Sequence, residues 1–135
     1  MSQENVEVVR RSFEPNRRSH QREDDYLEFF DPAIVWEVRS DLPDAETYVG
    51  HEGIRRLHMA FREVLDETWV RPMEFIDGGD RVIVPLRWGG RGKASGIEMT
   101  ESEETWMFTL RDCKIVHVKE FATKNAALEA AGLRE

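Results

Sequence analysis

Two glutamates sit where a carboxylate is expensive. IVHVKEF, residues 115–121, reads as a strand, and Glu120 shares its parity with Val116 and Val118. AIVWEVR, residues 33–39, reads as another, with Glu37 on the parity of Val35 and opposite Ile34, Trp36 and Val38. An apolar strand face removes water from a carboxylate, disfavours its charged form and raises its pKa. A second carboxylate nearby raises it further. Such a group suits proton transfer at neutral pH, as general acid or general base. Each glutamate also has a structural alternative. Glu37 can pair with Arg39, Arg87 or Arg91, and Glu120 can sit at a solvated rim beside Lys119 or Lys124.

Other reactive side chains offer less. His51 and His58 are seven residues apart on one helix, about 10 Å in rise, too far to share a metal. His58 reads as a core histidine, His20 as a loop residue, and His117 lies on the parity opposite Glu120. No Cys/His cluster has metal-ligand spacing. Cys113 falls in a turn with no histidine placed to activate it. Gly89-Gly90-Arg91-Gly92 lies within sheet rather than ahead of a helix, so it is no phosphate loop. No metal and no cofactor are expected.

The bulk numbers narrow the class. A chain of 135 residues fits one domain, 1–135. One cysteine allows no internal disulfide. The N-terminal residues lack the pattern of a signal peptide, and no apolar run approaches the roughly 20 residues of a membrane span. A soluble, cytoplasmic protein without a membrane partner is expected. A net charge of −8 argues against nucleic acid. The arginines at 10, 11, 17, 18 and 22 alternate with acids and read as a solvated face.

The elements that must position the glutamates follow from periodicity. Val6, Val9 and Phe13 give one face to a helix over about 3–14, closed by Pro15. EDDYLEFFD reads as a second short helix ended by Asp31-Pro32. The strand 33–39 follows, then the loop SDLPDAETYVG. A helix over about 52–65 presents Ile54, Leu57, Phe61 and Leu65. WVRPMEFID, RVIVPLRWGGR, IEMTESEETWMFTL and IVHVKEF read as four strands, with turns at 77–80 and 111–114 and a loop GKASG. On the third of these, Glu104, Trp106, Phe108 and Leu110 share a face. A helix over 125–131 stops at Gly132. The order α-α-β-α-β-β-β-β-α is α+β, with a curved antiparallel sheet around helices. Apolar residues on both parities, with Trp36 and Trp88 on the outer face, predict a homodimer.

This order, carried by DPAIVWEV, YVGHEGIRRL, FIDGGDRVIV, WMFTLRDCKIVHVKEF and ALEAAGL, resembles the SnoaL-like branch of the nuclear transport factor 2-like superfamily. The resemblance spans nearly the whole chain. It implies a cone-shaped sheet with a deep apolar pocket at its wide end, and commonly a homodimer. It also implies a small hydrophobic, oxygenated ligand handled by cyclisation, isomerisation or hydrolysis, or else simply bound. Glu37 matches the position of the isomerases' general base, and Val118 and Glu120 match pocket positions of the last strand. Glu37 and Glu120 thus become the catalytic candidates. Trp106, Phe108, Val118, Val35 and Phe13 become the ligand-binding ones. Four departures stand out. Cys113 replaces the usual glycine of the last turn, the segment EPNRRSHQRE is longer than usual, and the first helix has Ser12 and Phe13 where isomerases keep a tyrosine. Trp106 stands where they keep a protonated aspartate. A strict steroid isomerase is not expected.

Overall fold

A computed structural model of the protein describes residues 2–14, 25–39, 45–92 and 102–133. The chain runs α1 (Ser2–Ser12), a 3-10 turn (Asp25–Phe29), β1 (Phe30–Glu37), β2 (Thr47–Val49) and α2 (Gly50–Val64). It continues through β3 (Leu65–Pro72), β4 (Ile76–Asp77), β5 (Arg81–Gly92), β6 (Ser102–Arg111), β7 (Lys114–Phe121) and α3 (Lys124–Ala130). The sheet order is β2-β1-β7-β6-β5-β3, with β4 also on β5. The sheet is curved and unclosed, and with the helices it makes the expected α+β fold. The segment from Pro15 to Asp24, the loop GKASG after Gly92, and residues 97–101 of the expected long strand lie outside the described residues.

Several details differ from expectation. The sheet is mixed rather than wholly antiparallel, because β1 lies parallel to β7. Among the described residues, the expected second helix is a 3-10 turn over Asp25–Phe29 that buries Leu27. β1 begins before Pro32, whose missing N–H is accommodated where the β1–β7 register shifts between Phe30 and Val35. Thr47–Val49, expected as loop, pairs with β1 and places Tyr48 opposite Trp36. The strand expected over 69–77 is split into β3 and β4, and Pro85 of β5 lies at the gap between their pairings.

One large core fills the inner side of the sheet. Ile34 and Trp36 of β1, Val82, Val84 and Leu86 of β5, Phe108 and Leu110 of β6, and Val118 of β7 meet Val9 and Phe13 of the N-terminal segment and Ile54 and Leu57 of α2. A smaller cluster on the other side joins Ile83 and Met107 to Ala127 of α3. Trp36 is buried and the half-buried Trp88 packs on the same inner core, so neither tryptophan supplies the outer face from which a homodimer was expected.

Local chemistry sets the ends of the elements. α3 starts at Thr123, whose side chain accepts from the Ala126 N–H at 3.1 Å. It ends in a Schellman turn: Gly132, at φ +71°, donates to Glu129 and Leu133 donates to Leu128. Gly53 lets α2 lie on β2, since a Cβ there would stand 3.1 Å from the Tyr48 carbonyl carbon.

The β6–β7 turn has two residues in the left-handed region, Asp112 at φ 53° and Cys113 at φ 61°. Both signs match the type I′ hairpin, which favours glycine at its second central position. Cys113→Gly is therefore expected to stabilise the fold by up to about 1 kcal/mol. Paired thermal melts check this. A clear loss would show that the 3.9 Å contact of the Cys113 thiol with Glu4 outweighs the backbone strain.

Candidate functional site

Strand alternation puts Glu104, Trp106 and Phe108 of β6 on the inner face, and the β6–β7 register sets Trp106 opposite Glu120 and Phe108 opposite Val118. Trp36 of β1 lies beside Val118. Three neighbouring strands therefore deliver two carboxylates and two indoles to one place. Glu104 and Glu120 are only 5% and 8% exposed.

Each carboxylate has an indole donor. The Trp36 Nε1–H donates to Glu120 Oε2 at 2.8 Å, and the Trp106 Nε1–H donates to Glu104 Oε1 at 2.8 Å. The two rings meet edge to face with centroids 5.1 Å apart. Arg39, two residues past the end of β1, places its guanidinium 3.3 Å from Glu104 Oε2, and its main-chain N–H donates to Glu120. Among the described residues, the cation in contact with the pair, Arg39, thus bonds to Glu104. Glu120 is pushed up to about 7, first by burial and second by the Glu104 charge; the Trp36 bond, the Arg39 amide and the Arg39 charge pull weakly the other way. Tyr48, also buried, is raised by its own burial and by a hydrogen bond to Glu46. The Arg56 guanidinium covers the Tyr48 ring at 5.3 Å.

An aromatic wall adjoins the carboxylates. Phe13 stacks on Trp106 at 6.2 Å and meets Phe108 and Phe75 edge-on at 5.7 and 6.0 Å. Ser12 donates its hydroxyl to the Val9 carbonyl at 2.6 Å, within its own helix. Of the residues expected to contact a ligand, Phe13, Trp106, Phe108 and Val118 come together here. Phe108 and Val118 are fully buried, whereas Trp106 is half-buried.

Glu37 and Val35 do not join them. Trp36 faces inward, so its neighbours Val35 and Glu37 face the other side of the sheet. There Glu37 bonds His117 Nε2 at 2.5 Å and is 38% exposed. The expected convergence of Glu37 with Glu120 is therefore corrected. Glu120's carboxylate neighbour is Glu104, which stood on the predicted face of β6 without a role. Sequence alone pairs Arg39 with Glu37 and leaves Tyr48 in a loop, so neither is expected beside Glu120. The parity of Val116 also needs correction. The β6–β7 register shifts by one beyond Thr109, which leaves Val116 as an extra residue and turns Ile115 into the core.

Comparison with known proteins agrees with this fold. No curated protein matches the sequence. The chain is similar over 99% of its length to 94% of a putative SnoaL-like polyketide cyclase from a Jannaschia species, at 21% identity and a TM-score of 0.76. It is similar, at 23% identity and a TM-score of 0.77, to a nuclear transport factor 2-like protein of Burkholderia thailandensis, covering 95% of this chain and 96% of that one. TerC, crystallised with polyporic acid, is similar at 23% identity and a TM-score of 0.74, with 96% and 98% of the two chains covered. The model of the SnoaL-like domain matches residues 9–118, and the chain belongs to the SnoaL-like family of the nuclear transport factor 2-like superfamily.

Proposed function

We propose that this protein acts on a small hydrophobic, oxygen-bearing molecule by moving a proton through Glu120. The observation that carries the proposal is the state of that carboxyl group: buried, held by the Trp36 N–H, and poised near 7 beside a second carboxylate. A group that titrates at working pH both gives and takes a proton readily. The ligand approaches along the aromatic wall of Phe13, Phe75 and Trp106, because Trp106 and Arg39 are the more accessible members of the cluster. The family contains polyketide cyclases and isomerases, whose reactions turn on such transfers. The TerC complex with polyporic acid adds support for an oxygenated ligand in this fold.

The test is proton exchange at the α-carbon of 1-tetralone, an apolar ketone, followed by NMR in D2O. Wild-type protein is expected to exceed the buffer rate, and Glu120→Gln to fall to it while remaining folded. Exchange that survives in Glu120→Gln would remove Glu120 from the chemistry.

A second reading, a binding module without turnover, draws on the Arg39–Glu104 ion pair. A carboxylate already paired with arginine positions rather than reacts. Quenching of the tryptophans by 1-tetralone with no exchange above buffer would select it.

A further inference from the structure

The cluster has an imbalance of charge. Among the described residues, the ionisable groups that face Glu120 are Glu104 of β6, Arg39 after β1 and Tyr48 of β2, with Glu46 and Arg56 acting through Tyr48. His117 and Lys119 of its own strand lie on the other side of the sheet, aligned with Val35 and Glu37. Two carboxylates therefore share one guanidinium in direct contact, and the geometry gives it to Glu104. Both donors that reach Glu120, the Trp36 indole and the Arg39 amide, end on that carboxyl group. What Glu120 can offer a ligand oxygen is its own O–H, and only when it carries a proton.

We propose that Glu104 is a positioning residue that holds Arg39 away from Glu120, so that Glu120 meets its ligand as an uncharged hydrogen-bond donor and selects a neutral oxygen acceptor, such as a ketone, over a carboxylate. This rests on the acid–base reading of Glu120 above and adds the direction of the first proton contact. Ionised Glu120 repels a ketone oxygen, so binding draws on the protonated fraction alone. The apparent affinity falls as that fraction falls. A ligand carboxylate would bring a third negative charge to a buried site with one guanidinium, which low dielectric penalises.

The experiment is a titration of 1-tetralone, and of 1-naphthoate as its anionic counterpart, against wild-type tryptophan fluorescence from pH 6 to pH 8.5. With a midpoint near 7, affinity for the ketone is expected to fall about thirtyfold across that range. Glu120→Gln, whose amide N–H donates at every pH, is expected to bind the ketone with a flat profile. Glu104→Gln removes the like charge and releases Arg39 toward Glu120, so its midpoint is expected to move to lower pH. A merely structural Glu104 would leave that midpoint in place. Wild-type affinity that stays within twofold from pH 6 to pH 8.5, or naphthoate bound more tightly than tetralone at pH 6, overturns the proposal. Failure of tetralone to bind at pH 6 overturns both it and the acid–base reading, whereas binding with proton exchange but a flat profile overturns it alone.

Discussion

Arg39→Ala is expected to lose about 2–3 kcal/mol of folding stability at neutral pH. The guanidinium is 19% exposed and its partner Glu104 5%, so water screens one end of the ion pair only. Removing a partner from a buried pair typically costs 3–5 kcal/mol, because the remaining charge is left in low dielectric; partial exposure of Arg39 trims that. The loss should come mostly from the stranded carboxylate rather than from the missing attraction. Adding Glu104→Gln to Arg39→Ala should therefore recover more than half of it, since the amide still accepts the Trp106 N–H. Urea denaturation of the two single variants and the double variant completes the cycle. A loss below about 1 kcal/mol in Arg39→Ala would show that Glu104 is solvated well enough to stand alone.

The second large effect depends on pH. Glu120 is raised from 4.5 to about 7 in the fold, while the unfolded chain keeps the ordinary value. Between those two values the native state holds a proton that the unfolded state has released. The stability belonging to this group is thus fully present below about 4.5 and is lost as pH rises toward 7. The loss approaches about 3 kcal/mol, at 1.36 kcal/mol per pKa unit. Glu120→Gln has no such titration. Its stability relative to wild type should rise by up to about 3 kcal/mol from pH 4.5 to pH 7 and stay level above that. The difference between the two proteins isolates this group from the other carboxylates that protonate in acid. A difference curve with no slope over that interval would mean that Glu120 is hydrated in the native protein.

Part of this site was legible in the sequence, for reasons that can be named. Glu120 and Trp106 lie where β6 and β7 pair in unbroken register, from Thr109 opposite His117 to Thr105 opposite Phe121, and the short turn ties the two strands together, so their shared face follows from spacing. Cys113 likewise showed itself, because a two-residue turn constrains backbone torsion whatever surrounds it. Glu37 was misplaced because parity divides a strand into two faces without saying which one is inside. The composition of β1 held the answer: Ile34, Trp36 and Val38 outweigh Val35 and Glu37 as a buried set. Val116 was misplaced for another reason, since an extra residue in a strand leaves no trace in its alternation. The partnership of Arg39 with Glu104 joins residues 65 positions apart and is invisible to any local pattern. The mixed sheet belongs to the same category, because β1 and β7 are adjacent in space but distant in the chain.

That distance governs when the site comes into being. β5, β6 and β7 pair antiparallel in chain order, and β6 and β7 can zip from the turn at Asp112 and Cys113, while Trp36 and Glu120 meet only across 84 residues. Closing so long a loop is entropically deferred until the local hairpins are in place. A folding chain that has paired only those strands still lacks the docked β1, and with it the indole, the Arg39 amide and the wall that keep water from the carboxyl group. Until β1 docks, Glu120 is an ordinary surface glutamate, ionised at neutral pH. The raised pKa of Glu120 is then a late product of folding. Any variant that loosens the β1–β7 seam would undo that rise before it unfolds the sheet.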